Sequence, residues 1–156
     1  MKKQVDEVGT TKGRINAISV SKQKGTPKTN VPEADLKTDY GIVSDAHAGN
    51  GHRQVSLLAV ESLDKLREKG VKISPGDFAE NIMTEGLDVR ALKVGSKLML
   101  GGRVELEITQ LGKRCHRRRS VFDRLGECVM PRDGIFARVT GPGRIKVGDV
   151  IEVVDD

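Results

Sequence analysis

The sequence predicts a mainly β fold, a single closed or nearly closed antiparallel barrel with one or two short helices. Three observations lead there. Short apolar segments recur between glycine turns, and the chain holds eighteen glycines. Aromatic residues make up only 3% with no Trp, so Val, Leu and Ile must build the core, and two of these are β-branched. The third is a hairpin: Lys97 to Leu100, a two-residue Gly101-Gly102 turn, then Arg103 to Thr109, in which Val104, Leu106 and Ile108 alternate with Glu105, Glu107 and Thr109.

The other elements follow in order. Residues 1–12 are polar and read as a flexible N-terminal segment, with residues 13–156 forming one domain. Arg14 to Val20 gives an imperfect strand pattern. Ser21 to Asn30, rich in Lys, Gly, Thr and Pro, reads as a mobile loop. Val31 to Lys37 reads as a second strand, with Pro32 at its start where a missing N–H is tolerated. Tyr40 to Arg53 is loop-like. Gln54 to Ala59 is a buried strand, and Glu61 to Lys69 is the best helix, with a Glu61/Lys65 pair and Gly70 as its stop. Pro75-Gly76-Asp77 is a turn, Glu80 to Thr84 is extended, and Gly86 to Leu92 is a short link. Val121 to Leu125 suggests a helical turn. Gly134 to Thr140 is a strand, Gly141-Pro142-Gly143 a turn, and Val150 to Val154 the last strand. Val94-Gly95-Ser96 and Val147-Gly148-Asp149 echo one another, each a turn entering a strand.

Two cysteines, Cys115 and Cys128, argue against a disulfide framework. No apolar run approaches the roughly 18 residues of a membrane span, and no apolar stretch follows Met1-Lys2-Lys3 to make a secretory signal. The expectation is a cytoplasmic protein without membrane partners. The formal charge is +5, and much of the excess lies around Cys115 and at Lys2-Lys3, which suits a small anionic ligand at least as well as a long polyanion.

Cys115 lies within Lys113-Arg114-Cys115-His116-Arg117-Arg118-Arg119, the densest run of positive charge in the chain. Flanking cations favour the thiolate, the form that attacks electrophiles and binds soft metals. From these residues alone the run is either an anion-binding surface centred on a nucleophile or metal ligand, or a solvated basic loop with an incidental cysteine.

Several ordered phrases resemble the MOSC domain, the module shared with the C-terminal part of molybdenum-cofactor sulfurases. They are residues 40–49 (YGIVSDAHAG), 53–58 (RQVSLL), 76–82 (GDFAENI) and 92–95 (LKVG), followed by Cys115 after the hairpin. Small stand-alone members resemble this chain further in Gly112-Lys113-Arg114-Cys115-His116 and in residues 128–136 (CVMPRDGIF). Such relatives often carry another cysteine four positions after the first, where this chain has Arg119, so the resemblance does not extend to a vicinal cysteine pair. It implies a barrel like that of pyruvate kinase and either binding of molybdenum cofactor (molybdopterin) or relay of sulfur, with Cys115 as catalytic thiol, metal ligand or persulfide carrier.

On that resemblance, Lys113, Arg114, His116, Arg117, Arg118 and Arg119 form a basic cluster for the anionic pterin. Asp45 and His47, with His52, sit on a loop that either faces the cofactor, as the resemblance implies, or is unengaged; the spacing does not make a structural zinc site. Arg53 reaches either a phosphate or a carboxylate. Asn81 either hydrogen-bonds the pterin or supports the groups that do, or else it caps its own loop. Cys128, among Val129, Met130 and Pro131, reads as a buried thiol, with a resolving or ligand role as the other reading.

Serine-hydrolase, Walker and dinucleotide-binding motifs are missing. The resemblance instead implies a cofactor-handling protein, with molybdenum cofactor or its biosynthetic enzymes as partners. If it is an enzyme, it is a reductase fed by an electron-donor protein or a sulfur transferase. A nucleic-acid-binding barrel is the alternative from another class, disfavoured because one Tyr and three Phe leave few stacking platforms. A non-catalytic module of cofactor synthesis is the third.

Overall fold

The computed structural model describes residues 12–23, 28–46, 48–49, 51–112 and 134–154. The strands are β1 (Lys12–Val20), β2 (Thr29–Val31), β3 (Glu33–Lys37), β4 (Gly41–Ile42), β5 (Val55–Ala59), β6 (Ile82–Glu85), β7 (Lys97–Leu100), β8 (Val104–Leu111), β9 (Ile135–Gly141), β10 (Gly143–Lys146) and β11 (Val150–Val154). Helix α1 (Asp64–Glu68) follows a 3-10 turn at Val60–Leu63, and a second 3-10 turn spans Val89–Ala91.

Seven strands close a barrel in the order β1, β11, β7, β8, β9, β5, β6 and back to β1, with β2 appended to β1. Every neighbour is antiparallel except β5 and β6, which run parallel with Leu57 beside Ile82. An odd number of strands cannot alternate direction all the way round, so closure demands such a pair. A parallel pair needs a long crossover, which the stretch from Val60 to Asn81, carrying α1, supplies. A second, three-stranded sheet joins β10, β3 and β4.

The crossover explains why β5 is apolar almost throughout. Val55 and Leu57 face the barrel core with Ile18, Ile82, Leu98, Leu106, Ile108 and Val139, while Leu58 faces outward. There it joins Ala17, Met83 and Phe136 beneath Leu63 and Leu66, with Phe78 packed alongside. The helix expected from Glu61 to Lys69 is thus a 3-10 turn running into α1, and Gly70, at φ 85°, ends it. Glu61 accepts from the Gly86 N–H at 2.8 Å.

Several boundaries differ from expectation. The first strand begins at Lys12, which pairs with Glu152. The segment read as one strand from Val31 to Lys37 divides at Pro32: β2 stays with β1, and β3 crosses to the smaller sheet. Proline has no N–H to continue either ladder. Strand β10 was hidden because Gly-Arg-Ile-Lys carries one apolar side chain; Arg144 secures it by pairing with Asp35 at 2.8 Å. The hairpin register places Leu100 opposite Val104, so the turn holds Arg103 as well as the two glycines, both at positive φ.

The two echoing phrases build the same turn. The Lys93 N–H donates to the Ser96 hydroxyl (3.0 Å) and the Lys146 N–H to the Asp149 carboxylate (2.9 Å), with Gly95 and Gly148 at φ 99° and 96°. The expected helical turn at Val121 to Leu125 lies outside the described residues.

Candidate functional site

The loop from Val43 to Arg53 is fastened at both ends to the barrel. At its start, Asp45 is buried against the end of β1. Its Oδ1 accepts from the Ser21 N–H at 2.9 Å and from Lys28 Nζ at 3.0 Å, and the Lys28 and Asp45 side chains are 2% and 0% exposed. Lys28 also donates to Ser21 Oγ at 3.2 Å, and the Ala46 N–H to the Ser21 carbonyl at 2.8 Å. Burial alone would raise the Asp45 carboxyl, but the Ser21 N–H, the Lys28 ammonium and the Asn81 amide outweigh it and hold it below its ordinary value.

Asn81 joins this cluster to the sheet. Its Oδ1 accepts from the Ser56 N–H (3.0 Å) and from Ser56 Oγ (3.2 Å), and its Nδ2 donates to the Ser19 carbonyl (3.1 Å). The side chain therefore ties β1 to β5 rather than capping its own loop. The preceding turn is held by Glu80, 1% exposed, whose carboxylate accepts from the Gly76 N–H (2.6 Å) and the Phe78 N–H (3.1 Å). Burial pushes the Glu80 carboxyl up, against these two amides and with a small further push from Asp77.

At the other end of the loop, a register shift between Ile108 and Gln110 places Gln110 opposite Phe136 and leaves Thr109 out of the ladder. The Thr109 hydroxyl, with one hydrogen to donate, sits between the carbonyls of His52 and Phe136. His52 Nε2 lies 2.7 Å from Gln110 Oε1, and Gln110 Nε2 donates to the Gly112 carbonyl at 2.7 Å. The Arg53 guanidinium lies 5.7 Å from the Phe136 ring centroid, a cation–π contact. Gln54 then locks the loop to β9, its Oε1 accepting from the Val139 N–H at 3.0 Å and its Nε2 donating to the Gly51 carbonyl at 3.0 Å. Phe136 stands opposite Ser56, so Asp45, Asn81, Ser56, Phe136 and Gln110 form one line of contacts between the two ends of the loop.

The chain leaves β8 and re-enters β9 through a closed neck: Leu111 pairs with Ile135, and the Gly112 N–H donates to the Gly134 carbonyl at 2.7 Å. Of the residues singled out from sequence, Asp45, Arg53 and Asn81 fall on this frame, as does His52. His47, Lys113, Arg114, Cys115, His116, Arg117, Arg118, Arg119 and Cys128 lie outside the described residues. Among the described residues no three His, Cys, Asp or Glu side chains gather as a metal site. Nor is any helix there long and apolar enough to cross a membrane. Lys28, Gln110 and Thr109 escaped the sequence reading; Lys28 sits in a stretch whose composition signals a loop, and nothing local marks it as buried.

A seven-stranded barrel with one parallel pair, bearing a loop fastened at both ends, defines the class. The MOSC domain family model matches residues 44–152, and the chain belongs to that family. Among solved structures it is similar to the YuaD protein from Bacillus subtilis, with a TM-score of 0.74 at 20% identity over 91% of this chain and 95% of that one. It is also similar to YiiM from Geobacillus stearothermophilus (TM-score 0.70, 19% identity, 92% and 75% covered) and to YiiM from Escherichia coli (0.63, 20%, 92% and 70%). At these identities the likeness is one of fold. No curated protein matches the chain.

Proposed function

We propose that this MOSC protein binds molybdenum cofactor or passes sulfur toward it, with Cys115 as thiolate ligand or persulfide carrier. The observation that carries this reading is Arg53. Its guanidinium rests on Phe136 beside the neck that leads into the basic cysteine segment, and among the described residues no carboxylate pairs with it. Of the two readings the sequence left open for Arg53, phosphate or carboxylate, this arrangement favours an anionic ligand.

The residues present fit such a ligand. The described frame offers hydrogen-bonding and cationic groups at His52 and Arg53 but no hard-metal cage. The chain's thiols are Cys115 and Cys128, and a thiolate suits a molybdenum sulfur/oxo centre. When bound, the cofactor would supply the redox or sulfur chemistry. Arg53 and the cluster Lys113, Arg114, His116, Arg117, Arg118 and Arg119 would neutralise its phosphate. Asp45 and Asn81, whose polar groups are engaged within the protein, would serve by holding the loop in place. A reductase of this size would draw electrons from a partner protein, in the cytoplasm where cysteines stay reduced.

The test is metal and pterin analysis of protein purified from a molybdenum-replete host, with Cys115→Ser alongside. Stoichiometric pterin in wild type, with metal retention or sulfur transfer lost in Cys115→Ser, is expected. A wild type that takes up neither, and binds only a random oligonucleotide, overturns the reading.

A further inference from the structure

The hydrogen bonds around Gln110 fix the protonation pattern of a neighbour. The Gly112 carbonyl can only accept, so the Gln110 amide nitrogen faces it at 2.7 Å. The Gln110 oxygen therefore faces His52 and can itself only accept, so His52 Nε2, 2.7 Å away, carries the proton. In the neutral imidazole this leaves Nδ1 as a bare acceptor. Among the described residues no donor claims Nδ1.

Position matters as much as tautomer. Gln110 and Phe136 are cross-strand partners, so His52 over the first and Arg53 over the second stand side by side. One offers an acceptor, the other a cluster of N–H donors and a positive charge. We infer that His52 reads a hydrogen-bond donor on the ligand through Nδ1 while Arg53 takes its negative charge, so the site prefers oxyanions that bear an O–H. The inference rests on the anion-binding role proposed above for Arg53, and a phosphate monoester such as the pterin's would meet the preference as its singly protonated monoanion. Gln110 is the positioning residue, acting only through the His52 tautomer.

Hydrogen phosphate and sulfate test this directly. At about pH 8 both are tetrahedral dianions, and only phosphate carries an O–H. Titration of each into the full chain, followed by NMR of the His52 ring nitrogens, should show phosphate binding more tightly by about two- to tenfold, the worth of one neutral hydrogen bond. The ring should show the Nε2–H tautomer before ligand is added. His52→Ala and Gln110→Leu should bring the two affinities together, and Arg53→Ala should weaken both. A protonated Nδ1 in neutral wild type, equal binding of the two anions, or a preference that survives His52→Ala overturns the inference. The wild-type ring spectrum decides even if a variant fails to fold. Cofactor uptake without oxyanion preference sinks only this inference, and oxyanion preference without cofactor uptake sinks only the proposed function.

Discussion

Lys28 and Asp45 form a buried ion pair, Nζ to Oδ1 3.0 Å, that pins the start of the loop from Val43 to Arg53 to the end of β1. A buried charge left without its partner is costly. Lys28→Met should therefore destabilise the protein by about 3–5 kcal/mol, and adding Asp45→Leu should recover part of the loss. Urea unfolding of both variants checks this; a loss under about 1 kcal/mol for Lys28→Met would show that the pair does not hold the loop.

Two buried carboxyls respond to pH in opposite directions. Asp45 is held below its ordinary value, so its stabilising contribution is present above about pH 4 and is lost as pH falls through the depressed value. Glu80 is raised, so its contribution is full below about pH 4 and is lost as pH climbs through the raised value. Stability measured against pH should fall on the acid side in a manner that Asp45→Asn flattens. On the upper side it should fall in a manner that Glu80→Gln flattens. Identical slopes for wild type and Glu80→Gln above about pH 4 would contradict the burial assignment.

Ala79 sits at φ 68°, in the left-handed region, within the turn that Glu80 braces. An L-residue there is strained and glycine is not. Ala79→Gly should stabilise by about 0.5–1 kcal/mol, readable as a raised urea midpoint at unchanged slope.

Cys115 should react with a small alkylating reagent well below about pH 8 and faster than Cys128, because its sequence neighbours are cations. Replacing Arg117, Arg118 and Arg119 together by Ala should slow that reaction and weaken pterin binding. It should also lessen the salt sensitivity of binding. Equal rates for Cys115→Ser and Cys128→Ser proteins across pH would remove the case for a special thiol.

Alternation made the barrel legible: Val104, Leu106 and Ile108 all face the core, as the period-two pattern of β8 requires. Gln54 to Ala59 read as a buried strand because both of its faces are covered. Closure was less visible, since the β1–β11 pairing joins Gly13 to Ile151 and no local pattern encodes so distant a contact. Arg53 and Asn81 stood out through the phrases that carry them. Lys28 and Gln110 did not, because a lysine in a polar loop and a glutamine at a strand end look solvated until the fold brings Asp45 and His52 against them.

The Gly112–Gly134 bond makes the strand ladder independent of the sequence it brackets. Because the ladder is already sealed there, everything between its two ends enters and departs by one doorway. A different nucleophile or a different arrangement of charge could be grafted at that doorway without renegotiating strand register. The scaffold then acts as a socket for whatever sequence is set between those two glycines.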